Sequence, residues 1–198
     1  VVEDIVDGRL IAKLITPLGT IPAGALVDYD VATLLDGRPA PIAPVFVPGA
    51  SQSVEEVAGA ASVVWVKLLD DVSGKLIALR RGSDGVYAPT VMPLAANATV
   101  HLDAVAGPAP LAFTTVEGLL QPPTLFAVTP DAAPKVVQQL PARFDAATMS
   151  VDQRFATSKD GTKVPYFLVR KKGSSGPVPA LVHAYGGFRA AQTPTYLV

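Results

Sequence analysis

Gln153-Arg154-Phe155-Ala156-Thr157-Ser158-Lys159-Asp160-Gly161-Thr162-Lys163-Val164-Pro165-Tyr166-Phe167 is the stretch on which the fold turns. Two runs of strand character flank a turn. Ser150 to Thr157 reads as one strand and Lys163 to Arg170 as its return. Lys159-Asp160-Gly161-Thr162 reads as the hairpin turn between them, because Asp-Gly accepts the positive φ angles of a type I′ turn. Pro165 has no N–H to donate, so one side of the return strand is expected to be an edge. Beyond the hairpin, Gly173-Ser174-Ser175-Gly176-Pro177 is a flexible loop. Pro179-Ala180-Leu181-Val182-His183-Ala184-Tyr185 then has the apolar continuity of a buried strand, and it runs into Gly186-Gly187.

Upstream of Pro141 the chain is a series of short runs of strand length: Arg9–Ile15, Ser62–Leu69, Lys75–Arg80, Thr99–Val105, Leu111–Val116 and Leu125–Val128. Turn signals separate them, at Asp7-Gly8, Asp36-Gly37, Ser73-Gly74, Asp84-Gly85 and Gln121-Pro122-Pro123. No long helical period occurs before Pro141, and Gln52 to Val57 has room for a turn or two of helix at most. Proline numbers 19 of 198 residues, roughly double the usual ~5 %, which favours many short elements. Short strands at regular spacing fit a sandwich, a barrel or a propeller. The runs that begin near Arg9, Ser62 and Leu111 stand roughly fifty residues apart, close to the period of four-stranded propeller blades.

Composition removes several function classes. Lys+Arg is 16 against Asp+Glu 17, a formal net charge of −1, so no basic excess favours nucleic acid or an anionic membrane surface. No apolar run approaches the ~18 residues of a transmembrane helix. The absence of cysteine excludes disulfides, thiolate metal sites and a cysteine nucleophile; it fits a reducing compartment without requiring one. Val1 opens directly in folded-looking sequence without the pattern of a signal peptide. For a piece of a longer chain that says nothing about secretion, so cytoplasmic and periplasmic locations both stay open.

Arg143-Phe144-Asp145, the stretch from Gln153 to Phe167, and Ala184-Tyr185-Gly186-Gly187-Phe188 together resemble the prolyl oligopeptidase family. Its members carry a Ser-Lys-Asp-Gly-Thr hairpin, a Tyr-Gly-Gly-Phe loop and then a Thr-Pro, matched here in order by Ser158–Thr162, Tyr185–Phe188 and Thr193-Pro194. An antiparallel hairpin followed by a strand ending in a glycine pair is also how many α/β-hydrolase domains begin. Leu69-Asp70-Asp71-Val72 with Lys75-Leu76, and Leu120-Gln121-Pro122-Pro123-Thr124-Leu125, resemble the family's later propeller blades more loosely. The resemblance implies a mostly β chain: a partial β-propeller followed by the first strands of an α/β-hydrolase fold. Residues 1–143 would be the C-terminal part of the propeller domain and residues 144–198 the N-terminal part of the catalytic domain, with the remainder of a peptidase chain completing the fold.

By the same resemblance the activity is that of a serine peptidase cleaving short peptides after proline, without metal or organic cofactor. Cleavage after basic residues, as in the related oligopeptidase B, is the alternative specificity. The family's nucleophilic serine, aspartate and histidine lie downstream of the Tyr-Gly-Gly-Phe loop. The 198 residues contain no Gly-x-Ser-x-Gly, and Gly173-Ser174-Ser175-Gly176 lacks the spacing of a nucleophile elbow. The chain by itself is therefore expected to be inactive, and a scaffold or binding role for its propeller strands is the rival reading.

The resemblance makes Tyr185 the leading site residue. Acyl transfer develops negative charge on the scissile carbonyl oxygen, and a donor aimed there lowers the barrier. The Tyr185 hydroxyl would be one such donor. Gly186 and Gly187 would permit tight backbone geometry beside it. Phe188 has two readings: an aromatic wall for a substrate proline ring, or simple packing. His101 and His183 have no metal-ligand partner at short spacing and are read as ordinary residues. Glu55-Glu56 and Asp70-Asp71 are read as carboxylates on solvated turns, and Trp65 as core.

Overall fold

The computed structural model describes residues 1–39, 41–188 and 190–197. Three four-stranded sheets follow one another along the chain. The first holds β1 (Val2–Val6), β2 (Arg9–Lys13), β3 (Leu26–Asp30) and β4 (Ala43–Phe46), with a five-residue helix α1 (Val31–Leu35) after β3. The second holds β5 (Gln52–Ala60), β6 (Val63–Asp70), β7 (Ser73–Arg81) and β8 (Tyr87–Val91). The third holds β9 (Ala98–Ala106), β10 (Leu111–Gly118), β11 (Gln121–Val128) and β12 (Lys135–Gln139). Every pair within them is antiparallel, and in each sheet strand order is sequence order. These are meanders stacked as propeller blades are, as the fifty-residue spacing predicts.

Period-two alternation explains the stacking. In β6, Val64, Val66 and Leu68 point to one side, where they pack with Val6, Ile11, Leu26 and Val45 of the first sheet. Val63 and Trp65 point to the other side and pack with Ala98, Val100, Ala112 and Val116 of the third. The middle sheet is thus buried on both faces, which is why β6 reads as an unbroken apolar run. Trp65 is fully buried there, and truncating such a side chain to alanine costs about 3–5 kcal/mol. In β10 only alternate residues are buried, Ala112, Thr114, Val116 and Gly118.

Strands β1, β5 and β9, the first of each sheet, run beside one another. The Gly59 N–H donates to Asp4 Oδ2 at 2.6 Å across β1 and β5. Between the second and third sheets the close approach falls at Gly74. A Cβ built there would lie 2.6 Å from the Val100 backbone nitrogen. Gly74 is therefore a packing glycine within β7, not the turn residue that Ser73-Gly74 suggests. The turn lies one step earlier, at Asp71 (φ 45°) and Val72 (φ 61°), between the paired Asp70 and Ser73.

Three further expectations change. Gln52–Val57 is strand, not helix, because Val54 is drawn into the core with Val64 and Val66. A register shift between Val54 and Glu56 hides its alternation. Gln121-Pro122-Pro123 opens β11 rather than forming a turn, and the reversal lies between the paired Gly118 and Gln121. The prolines fall where that ladder is irregular, a place that tolerates a missing N–H. Asp70, read as solvated, accepts hydrogen bonds from Ser51 (2.9 Å), Gln52 (3.0 Å) and Lys75 (2.6 Å).

Candidate active-site segment

A two-stranded hairpin follows the third sheet: β13 (Met149–Thr157) and β14 (Lys163–Lys171), paired without interruption from Met149↔Lys171 to Thr157↔Lys163. The Ser158 N–H donates to the Thr162 carbonyl at 2.9 Å, and the Gly161 N–H to the Ser158 carbonyl at 3.0 Å. Gly161 is left-handed at φ 87°, while Asp160 is not. The connection is thus a three-residue loop with a left-handed glycine, not the two-residue type I′ turn. The Asp160 side chain accepts the Thr162 N–H at 3.0 Å, and that bond holds its carboxyl below the usual range. Pro165 pairs with Phe155, and β14 has no second neighbour among the described strands, as its proline predicts.

The next segment departs from expectation. Pro179–Tyr185 is exposed chain outside any strand and not a buried strand. No described strand lies alongside to take its backbone hydrogen bonds, so Leu181 (97 % exposed) and Val182 (85 %) have no cover. Tyr185 itself is half-exposed. Its ring folds back over Gly187: a Cβ built on Gly187 would lie 2.7 Å from Tyr185 Oη and 2.9 Å from Cζ. Gly187 therefore gives the ring its seat, whereas Gly186 has open space around it. Phe188 is left-handed at φ 55° and 97 % exposed, in a tight turn where the Ala190 N–H donates to the Gly187 carbonyl at 3.1 Å. The structure brings Tyr185 and Gly187 together and leaves Phe188 pointing outward. His183 is exposed in the same segment. His101 lies on β9, its Nε2 3.7 Å from Glu117 Oε1. Ser174 Oγ is occupied locally, donating to the Lys171 carbonyl at 2.7 Å. Arg189 and Val198, inside the span 144–198, lie outside the described residues.

Sequence reasoning missed the docking of the segment beyond the loop. Thr193–Tyr196 returns to the third sheet and contacts Thr99 and Glu117; nothing in its residue types announces that contact. A cavity of about 380 Å³ opens elsewhere, where β1, β5 and β9 meet, lined in part by Glu3, Glu55, Leu102 and Asp103. Among the described residues no group of three His, Cys, Asp or Glu side chains is placed to hold a metal ion.

No family model matches the chain. Over 180 residues it is 36 % identical to an uncharacterized peptidase of Sinorhizobium fredii, a match covering 87 % of this chain and 24 % of that protein. Over 82 residues it is 35 % identical to the prolyl endopeptidase of Elizabethkingia miricola, covering 40 % of this chain and 12 % of that protein. Its structure is similar to that of a post-proline cleaving enzyme from Rickettsia typhi, with a TM-score of 0.77 and 25 % identity, over 100 % of this chain and 30 % of that one. The chain spans about a quarter of the length of the first two curated relatives it matches.

Proposed function

Since the chain belongs to the prolyl oligopeptidase family and spans about a quarter of its relatives, we propose that the full-length protein is a serine peptidase cleaving short peptides after proline. The supporting observation is the similarity to a post-proline cleaving enzyme along the whole chain, three sheets and hairpin together. In this reading residues 1–143 are propeller and residues 144–198 open the α/β-hydrolase domain. Tyr185 donates to the oxyanion of the tetrahedral intermediate, beside a backbone N–H next to the serine nucleophile. Gly187 seats its ring, Gly186 leaves space for substrate backbone, and Phe188 meets the proline ring.

Tyr185→Phe in the full-length protein keeps the ring and removes only the hydroxyl. Loss of one oxyanion donor lowers kcat by ~10²–10³-fold, and KM stays near its original value if the bond forms mainly in the transition state. Steady-state kinetics on a prolyl reporter peptide measure both, and an unchanged kcat would remove Tyr185 from the reaction. The 198 residues alone hold no nucleophile elbow, so they are expected neither to turn over that peptide nor to label with a serine-directed phosphonate.

A further inference from the structure

Downstream of the Tyr185–Phe188 loop the chain is strapped to the third sheet at several points. Thr99 Oγ1, buried on β9, donates to the Pro194 carbonyl at 2.7 Å. Pro194 is itself buried; without an N–H, its carbonyl is the one backbone polar group it must satisfy. Two residues on, the Tyr196 N–H donates to Glu117 Oε2 on β10 at 2.9 Å. The Tyr196 ring stacks on Phe144 with centroids 5.2 Å apart and planes at 16°, and its Oη accepts the Arg143 N–H at 2.8 Å. Third sheet, connector and strap therefore meet at one tyrosine.

We propose that Thr99 and Glu117, on the propeller side, are positioning residues for the Tyr185–Phe188 loop and act on it through the Thr193–Tyr196 strap. This rests on the oxyanion role proposed for Tyr185. Among the described residues the loop's own contacts are internal: Tyr185 closes on Gly187, and the Ala190 N–H returns to the Gly187 carbonyl. Phe188 is five residues from Thr193, a reach of at most roughly 17 Å, so fixing the strap bounds where the loop can go. An oxyanion donor is productive only when held within about 0.5 Å of its position, and a misplacement of about 1 Å can cost ~10²-fold in rate. A bond to a buried carbonyl and a bond to a half-buried carboxylate are suited to that hold, because water competes poorly for both.

The test uses the full-length protein carrying Thr99→Val together with Glu117→Ala. Hydrogen exchange is expected to accelerate at least ~10-fold at the Ala190 amide, whose N–H closes on the Gly187 carbonyl, while β6 and β7 keep their protection, and kcat on a prolyl reporter to fall ~10-fold with KM within about twofold. Glu117→Gln, whose amide oxygen still accepts the Tyr196 N–H, is expected to restore both readouts toward the unsubstituted values. Unchanged exchange at Ala190 after loss of both bonds would overturn the proposal. So would an unchanged kcat despite faster exchange, or a Glu117→Gln protein as impaired as Glu117→Ala. If the double variant loses protection throughout β6, the single Glu117→Ala protein replaces it. That change removes the acceptor for the Tyr196 N–H, and loop exchange must still rise. If the unsubstituted full-length protein turns over no prolyl peptide, the peptidase reading falls, and the exchange measurements alone decide whether the strap holds the loop.

Discussion

Val72 and Gly74 make opposite backbone demands two residues apart. Val72 is β-branched yet held at φ 61° in the β6–β7 turn, a conformation that costs a non-glycine residue about 1–3 kcal/mol. Gly74 has ordinary φ, but a Cβ there would meet backbone and not a movable side-chain end. Val72→Gly is therefore expected to stabilise the protein by about 1 kcal/mol, the relieved strain exceeding the lost packing of a half-buried side chain. Gly74→Ala is expected to destabilise it by about 1–3 kcal/mol, because β7 must move away from β9. Urea titrations of both variants check the pair, and the same sign for both would refute this assignment of roles.

The β5–β6–β7 corner is tied by Asp70. Burial alone would raise its carboxyl, but hydrogen bonds from Lys75, Gln52 and Ser51 outweigh that and hold it below the ordinary carboxylate range. Its folded pKa thus lies under the unfolded value of about 3.9. The stabilisation it supplies is complete above that value and is lost as pH falls through the folded one. Asp70→Asn is expected to lower stability at pH 7 by roughly 1–2 kcal/mol and to make stability less sensitive to pH below about 4. Denaturation at pH 7 and pH 3 measures both effects. At this scale much of the architecture is legible in the sequence. The run at Ser62–Leu69 matches β6 to within one residue at each end, Leu111–Val116 sits within β10, and Asp7-Gly8 makes a turn with both residues at positive φ. What is illegible has physical causes. A register shift conceals β5, Gly74 answers to a neighbouring sheet, and the exact hairpin turn depends on whether Asp160 or only Gly161 goes left-handed. In the candidate site, Tyr185 and Gly187 are readable as a motif. The exposure of Pro179–Tyr185 is not, because burial of an apolar run requires partner strands that the run cannot itself specify.

Across the whole molecule, neighbouring sheets are joined by polar ties as well as by the two apolar cores. Tyr87 Oη of the second sheet donates to Asp28 Oδ2 of the first at 3.0 Å, and Arg9 Nε donates to the same oxygen at 2.8 Å. Asp28 is fully buried, and burial pushes the Tyr87 hydroxyl well above its ordinary pKa, keeping it a donor. Arg80 points the other way and binds Asp131 beyond β11 through two nitrogens, in an exposed pair. Tyr87→Phe is expected to cost about 1–3 kcal/mol by leaving a buried carboxylate short of a donor, and Asp131→Ala less than about 1 kcal/mol. Thermal denaturation ranks the two, and the reverse order would show that the rim pair holds the sheets together. The strand order also has a temporal consequence. Each meander pairs only segments adjacent in the chain, so its contacts are sequence-local and close quickly, sheet by sheet from the N-terminal side as synthesis proceeds. The bonds from Pro194 to Thr99 and from Tyr196 to Glu117 span 95 and 79 residues. They cannot form until the third sheet is standing and the hairpin has emerged, so anchoring of the Tyr185 loop follows the folding of the sheet that holds it.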